Sequence, residues 1–332
     1  MAQEYADNNI TNAGEGGAFE SAESSTLAGA EGSARATGGD GACVTFGVFD
    51  GVHAGHRHII GRLRRIARES GLSSALLRFE LSPKMLDDRP DKLLTVSKET
   101  DILISQENPD KIYAYPFTDA EARLTPELFV KQILIDKLNA KIIVAGRHCR
   151  FGRNRAGGAR TLARLAKKYG YRPVIISPLT DRGEIVSAGM IRDALQARDI
   201  AKANRLLANP YTISGVVMPG KALGRRANMP TANLDVSPRK FIPAHGVYAT
   251  LSTVYGKKYA GLTHIGTRPS VDDSGDVTIE SFLFDYSGNL YSRTVKTEIH
   301  CYIRETRKFR NLDEVKSQVD EDIVIARKYF GI

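Results

Sequence analysis

The sequence contains no apolar run near the ~18 residues that a membrane-spanning helix needs, so a helix-spanned bilayer is not its solvent. Cysteine is sparse, and Cys43, Cys149 and Cys301 stand far apart and never as Cys-x-x-Cys. That odd number at that spacing argues against a disulfide framework and a zinc knuckle, and suits a reducing cytoplasm. No internal repeat is found. The first 42 positions have few aliphatic residues; they hold ten Ala, eight Gly and seven acids, with Arg35 the sole basic residue. They lack the basic start and continuous apolar core of a signal peptide, and the arginines of a transit peptide. The stretch reads as a disordered acidic leader, with the fold beginning near Ala42.

What is present is ordinary in bulk. The 332 residues are 42% hydrophobic and 26% charged, values near those of soluble globular chains, and the length suits two domains, each able to bury a core. Without the leader's acids, residues 43 to 332 carry a net +15, against +9 for the whole chain. A balance this basic invites nucleic acid or a phosphate-rich ligand.

Apolar patterning divides the chain at about residue 208. In residues 43–208, Val44 to Phe49, Ser74 to Phe79, Lys111 to Tyr115, Lys141 to Ala145 and Pro173 to Ile176 read as short buried strands. Helices are predicted over Gly55 to Ser70, Leu94 to Gln106 and Thr125 to Leu138, the last with a Thr cap and an N1 proline. Their alternation with the strands predicts a doubly wound parallel sheet, whose ligands bind beyond the strand carboxyl ends. Two short helices, Met190 to Ala197 and Asp199 to Leu207, lead to Pro210. Residues 209–332 then alternate in β fashion over Tyr211 to Val217, Gly246 to Thr253, Tyr259 to Ile265, Val277 to Asp285 and Arg293 to Ile303. Helical spacing returns from Asp313 to Phe330, which predicts a small antiparallel barrel with a closing helix.

The first strand turns into the first helix through Gly47-Val48-Phe49-Asp50-Gly51-Val52-His53-Ala54-Gly55-His56. Gly47, Gly51 and Gly55 let backbone approach a polyphosphate, and the helix N-terminus offers free N–H groups and partial positive charge. His53 and His56 can donate to phosphate oxygens that gain charge in a transition state. Two histidines at i and i+3 could also begin a metal site or merely a polar helix start, but no further His, Cys or acid stands nearby at zinc spacing.

This segment resembles the Gly-x-Phe-Asp-Gly-x-His-x-Gly-His signature of the prokaryotic bifunctional riboflavin kinase/FMN adenylyltransferase (FAD synthetase) family, with every fixed position present. The resemblance runs from about Val44 to the C-terminus. It implies an ATP-binding turn containing Gly47, Phe49, Asp50, Gly51 and Gly55, with Ser187 and Arg192 of a later Ile-Ser-Ser-Thr-x-x-Arg-like segment completing the phosphate site. A second signature, Pro230-Thr231-Ala232-Asn233-Leu234, stands between Gly220, Gly224-Arg225 and Gly246-Val247-Tyr248-Ala249. By resemblance, Thr231 and Asn233 hold an ATP-bound magnesium, Gly220, Gly224 and Arg225 lie over nucleotide phosphates, and Glu280 is the kinase base. Arg268 in Gly266-Thr267-Arg268-Pro269-Ser270 joins His148, Arg150 and Phe151 as weaker flavin candidates. The implied substrates and products are riboflavin, FMN, FAD and ATP.

Departures from the family pattern fall in the first half. Ser82 stands where the family has His, His148 where it has an acid or amide, and Ala188-Gly189 where it has Ser-Thr. A lost hydrogen bond to a charged group costs roughly 1.5 to 3 kcal/mol, about one to two decades in rate. A monofunctional riboflavin kinase with a degenerate first domain is the alternative that these departures keep open. Arg147, Arg150, Arg153, Arg155 and Arg160 surround Phe151. They favour phosphate over nucleic acid, which would need more than one aromatic platform.

Overall fold

The computed structural model describes residues 41–82, 85–86, 92–219, 231–267, 277–307 and 309–332; the expected leader lies almost wholly outside them. Five parallel strands form the first sheet: β1 (Ala42–Gly47), β2 (Ser73–Leu81), β3 (Lys111–Phe117), β4 (Ala140–Gly146) and β5 (Arg172–Ile176), in the order β3-β2-β1-β4-β5. Both faces are covered, which is why these strands read as continuous apolar runs. On one face α1 (Ala54–Glu69) packs Leu63, Ile66 and Ala67 against Cys43, Ile142 and Val144. On the other, Phe129, Ile133 and Leu162 cover Val44, Leu77 and Ile143. Strand order reverses between β1 and β4, so a crevice opens beyond their carboxyl ends.

Three local findings depart from the sequence reading. α2 (Ser97–Gln106) begins three residues later than Leu94, because Leu93 pairs with Lys240 while the Leu94 and Thr95 amides donate to Asp50. The expected helix from Thr125 is an α turn, Pro126–Leu128, that runs into a π-helix, Phe129–Lys137. α3 (Ala159–Tyr169) was not legible, since only Leu162 and Leu165 of its face are fully buried.

After a two-stranded hairpin, β6 (Thr180–Asp181) and β7 (Glu184–Ile185), come α4 (Ala188–Gln196) and α5 (Ile200–Leu207). The barrel follows: β8 (Tyr211–Met218), β9 (Ala232–Val236), β10 (Gly246–Val254), β11 (Lys257–Thr267), β12 (Val277–Leu283) and β13 (Thr294–Arg304), closed in the order β10-β11-β12-β9-β8-β13. α6 (Leu312–Phe330) closes the chain, held where Arg304 grips buried Asp322 with two nitrogens at 2.8–3.0 Å. Inside the barrel, hydroxyls pair with one another: Thr250 with Thr263 at 3.0 Å, Thr263 with Ser281 at 2.9 Å and Ser252 with Thr297 at 3.0 Å. Packing crosses the expected boundary at 208/209, for Ile191, Leu195, Ile200, Leu206 and Leu207 share one buried cluster with Tyr211, Ile213 and Ile299.

Candidate functional site

Two sites emerge, one in each half. At the end of β1 the chain makes a tight turn in which Phe49 (φ 55), Gly51 (φ 80) and Val52 (φ 41) are all left-handed. Non-glycine residues, and a β-branched one above all, occupy that region only where the surroundings hold them there. Gly51 is obligatory for a second reason: a Cβ would stand 2.9 Å from Leu94. Asp50 is the fastener, its Oδ1 accepting the amides of Leu94 at 2.7 Å and Thr95 at 3.2 Å. Thr95 in turn accepts the Gly51 amide at 2.9 Å.

His53 caps α1, its Nδ1 accepting the His56 amide at 3.3 Å. That bond fixes the proton of the neutral ring on Nε2, which is thereby a donor. The two imidazoles stack with centroids 3.7 Å apart. Burial lowers His53 to about 4 and pushes His56 well below the ordinary histidine range, with His53 adding repulsion. Both rings are therefore neutral near pH 7, and His56 Nδ1 is buried without a hydrogen-bond partner among the described residues. Gly55 lets this helix start come close to that of α4. A Cβ on Gly55 would lie 3.1 Å from the His53 ring and 3.5 Å from the Val186 carbonyl. Ser187 caps α4 by accepting the Met190 amide at 3.3 Å. Two helix N-termini thus converge on one crevice, an arrangement that attracts anions.

Asp50 and Arg192, expected among the phosphate contacts, form a buried ion pair with each other. Arg192 Nε also donates to the Lys92 carbonyl at 2.8 Å. Asp50 so placed fastens the turn to the Leu94–Thr95 strap. Phe151, expected beside the flavin, is buried in a cluster with Phe46 and Phe129, its ring centroid 5.4 and 5.5 Å from theirs. Its ring packs within the core on one face of the sheet. Arg147, His148, Arg150, Arg153, Arg155 and Arg160 are exposed around it, so the arginines are left without an exposed aromatic platform inside their own cluster. Ser82 accepts the Met85 amide at 3.3 Å, a local turn-capping role.

In the barrel, Glu280 of β12 stands directly opposite Asn233 of β9. Cross-strand partners have Cβ atoms about 4.5 to 5.5 Å apart on one face, and Thr231, two residues before Asn233, continues that face. On its other side Glu280 faces His264 of β11, a neighbour that no sequence signal pointed to. His264 is lowered by burial and raised in part by Glu280. All three are half-buried while Ile279 and Ser281 point into the core. A cavity of ≈350 Å³, a size suited to a small ligand, is lined by Val217, Thr231, Ser281, Tyr286, Leu290 and Tyr291, and Thr231 is the site residue that reaches it. The neutral oxygens of Thr231 and Asn233 beside a carboxylate fit a hard divalent cation that keeps water and phosphate as its other ligands. Gly220, Gly224, Arg225 and Arg268 lie outside the described residues.

Two protein families match separate stretches of the chain. A family described as FAD synthetase matches residues 37–189, and one described as riboflavin kinase matches residues 207–330. A protein of Buchnera aphidicola (subsp. Schizaphis graminum) named bifunctional riboflavin kinase/FMN adenylyltransferase is 34% identical over 296 residues, covering 87% of this chain and 94% of that protein. Proteins of the same name from Bacillus subtilis (34%, 87% and 92% covered) and Escherichia coli K12 (32%, 88% and 94%) are similar along the same span. A crystal structure titled macrolide-efflux protein from Streptococcus pneumoniae has a TM-score of 0.77 at 29% identity, covering 87% of this chain and 95% of that one. Among the described residues no helix is long and apolar enough to cross a membrane.

Proposed function

The chain belongs to the bifunctional riboflavin kinase/FMN adenylyltransferase family, and from that premise we infer that it catalyses two successive transfers from ATP. The barrel moves the γ-phosphoryl group to riboflavin, giving FMN. The first domain moves the AMP of a second ATP to FMN, giving FAD and pyrophosphate. The single observation that carries this reading is that both family domains occur in order in one chain. The monofunctional alternative is not favoured.

In the barrel, we assign Glu280 the role of base, accepting the proton of the riboflavin 5′-hydroxyl as that oxygen attacks the γ-phosphorus. Thr231 and Asn233 would hold the magnesium of the nucleotide, which neutralises phosphate charge when bound. His264 flanks the base and sets the field in which it works. In the first domain, the FMN phosphate attacks the α-phosphorus of ATP and pyrophosphate leaves. His53 Nε2–H and His56 donate to the phosphate oxygens, while the amides at the starts of α1 and α4 receive the polyphosphate. Because both rings are neutral, they stabilise charge by donation without having to lose a proton first. The exposed His148 and Arg150 are assigned to the flavin phosphate side of the crevice. Three separated cysteine thiols support a cytoplasmic location.

The test is a product assay on the full chain. Riboflavin, ATP and magnesium should yield FMN and then FAD, separated by chromatography. Conversion that stops at FMN would refute the adenylylation half.

A further inference from the structure

Barrel segment Arg239-Lys240-Phe241 lies alongside Leu93 of the first domain. The Leu93 amide donates to the Arg239 carbonyl at 2.8 Å, and the Phe241 amide donates to the Leu93 carbonyl at 2.7 Å. Between them Lys240 is 2% exposed, although lysine is among the residues least often buried. Its Nζ donates to the Leu94 carbonyl at 2.7 Å and pairs with Glu99 Oε2 at 2.6 Å, over the ring of Tyr211 at 4.7 Å. Glu99 is in the first turn of α2 and also accepts the Val96 amide at 3.2 Å.

The strap so held, residues 92 to 96, is the one that fastens the phosphate turn. Leu94 presents its carbonyl to Lys240 and its amide to Asp50. Thr95 reaches Asp50 and Gly51, and Lys92 receives Arg192. A charged side chain from the kinase half is therefore two hydrogen bonds away from the carboxylate that shapes the adenylylation turn. Nothing in packing alone requires an ammonium there, since a buried pair can often be replaced by apolar residues of similar volume at no cost in stability.

We propose that Lys240 is a positioning residue for FMN adenylylation, a barrel side chain that acts through the 92–96 strap to set the histidine-containing turn of the other domain. The proposal rests on the adenylyltransferase reading above. Displacement of reacting groups by about 1 Å costs on the order of 100-fold, so Lys240→Met in the full chain is expected to lower kcat for FAD formation roughly 10- to 100-fold and to raise KM for ATP. Riboflavin phosphorylation by the same preparation should stay within about twofold of the parent, because Glu280 and Asn233 lie on other strands. Mere loss of folded protein would scale both kcat values and leave KM unchanged.

Lys240→Met paired with Glu99→Leu covers the case in which the single variant does not fold. The double variant removes both charges, so it should melt near the parent yet remain defective in FAD formation alone, as the Leu94 carbonyl still lacks its donor. Parent-like FAD formation in either variant would overturn the proposal, as would a parallel loss of both activities in the double. If the parent chain itself forms no FAD, the adenylyltransferase reading fails first and the proposal falls with it.

Discussion

Replacing Arg192 by Met separates two roles for one residue. By motif it is a phosphate ligand; in the fold it neutralises Asp50, and the two side chains are only 10% and 8% exposed. Removing one member of a buried ion pair leaves an uncompensated charge and costs about 3 to 5 kcal/mol. For a unit of 150–250 residues each kcal/mol shifts Tm by roughly 2 to 4 °C, so Arg192→Met should melt about 6 to 20 °C below the parent. The chain has no tryptophan, and far-UV circular dichroism is the direct probe. Adding Asp50→Asn should return much of the loss, because Asn keeps an oxygen for the Leu94 amide while removing the stranded charge. A double-mutant cycle then reads the coupling. A drop below about 2 °C, together with a raised KM for ATP, would refute this account and return Arg192 to the phosphates.

Glu280→Gln keeps the shape of the barrel site and removes the base, so FMN formation should fall about 10²- to 10⁴-fold while riboflavin binding, followed by flavin fluorescence, persists; turnover near the parent's would remove Glu280 from that role. His53 titrates near 4 in the folded chain and near 6.5 when unfolded, so between those values the unfolded chain holds the extra proton. Its contribution is whole above about pH 6.5 and drains away as pH falls toward 4; urea midpoints at pH 7 and pH 5 should therefore fall further for the parent than for His53→Gln. At Gly189 an added Cβ would meet only Ser187 Oγ, at 3.8 Å, so Ala188→Ser with Gly189→Thr fits without strain. If the missing hydroxyls limit phosphate binding, that variant should form FAD about one to two decades faster; an unchanged initial rate counts against that account.

The parallel sheet and the barrel were legible because apolar runs and alternation report burial directly. The histidine turn was legible because glycine, histidine and a helix start each carry their own chemistry. The partners of these groups were not. Asp50 and Arg192 are 142 positions apart, and only the fold shows that they spend their charges on each other. His264 gave no signal, since its importance is its register opposite Glu280. Lys240, in Ser-Pro-Arg-Lys-Phe, carries no periodic signal of burial and is buried against another domain. The π-helix at Phe129–Lys137 escaped for a different reason, as a stripe of buried Phe129, Val130, Ile133 and Leu134 does not distinguish an i+4 ladder from an i+5 one.

The helical pair α4 and α5 has a consequence for how the two activities can be inherited. Its apolar face belongs to the same buried cluster as β8 and β13, while the start of α4 forms one wall of the adenylylation crevice. A gene break at the pattern change near 208 would leave the barrel with an uncovered greasy flank, and one upstream of 187 would take the Ser187 cap from its histidine neighbours. Neither half can be shed cleanly by truncation. The mortar between the two halves is part of each.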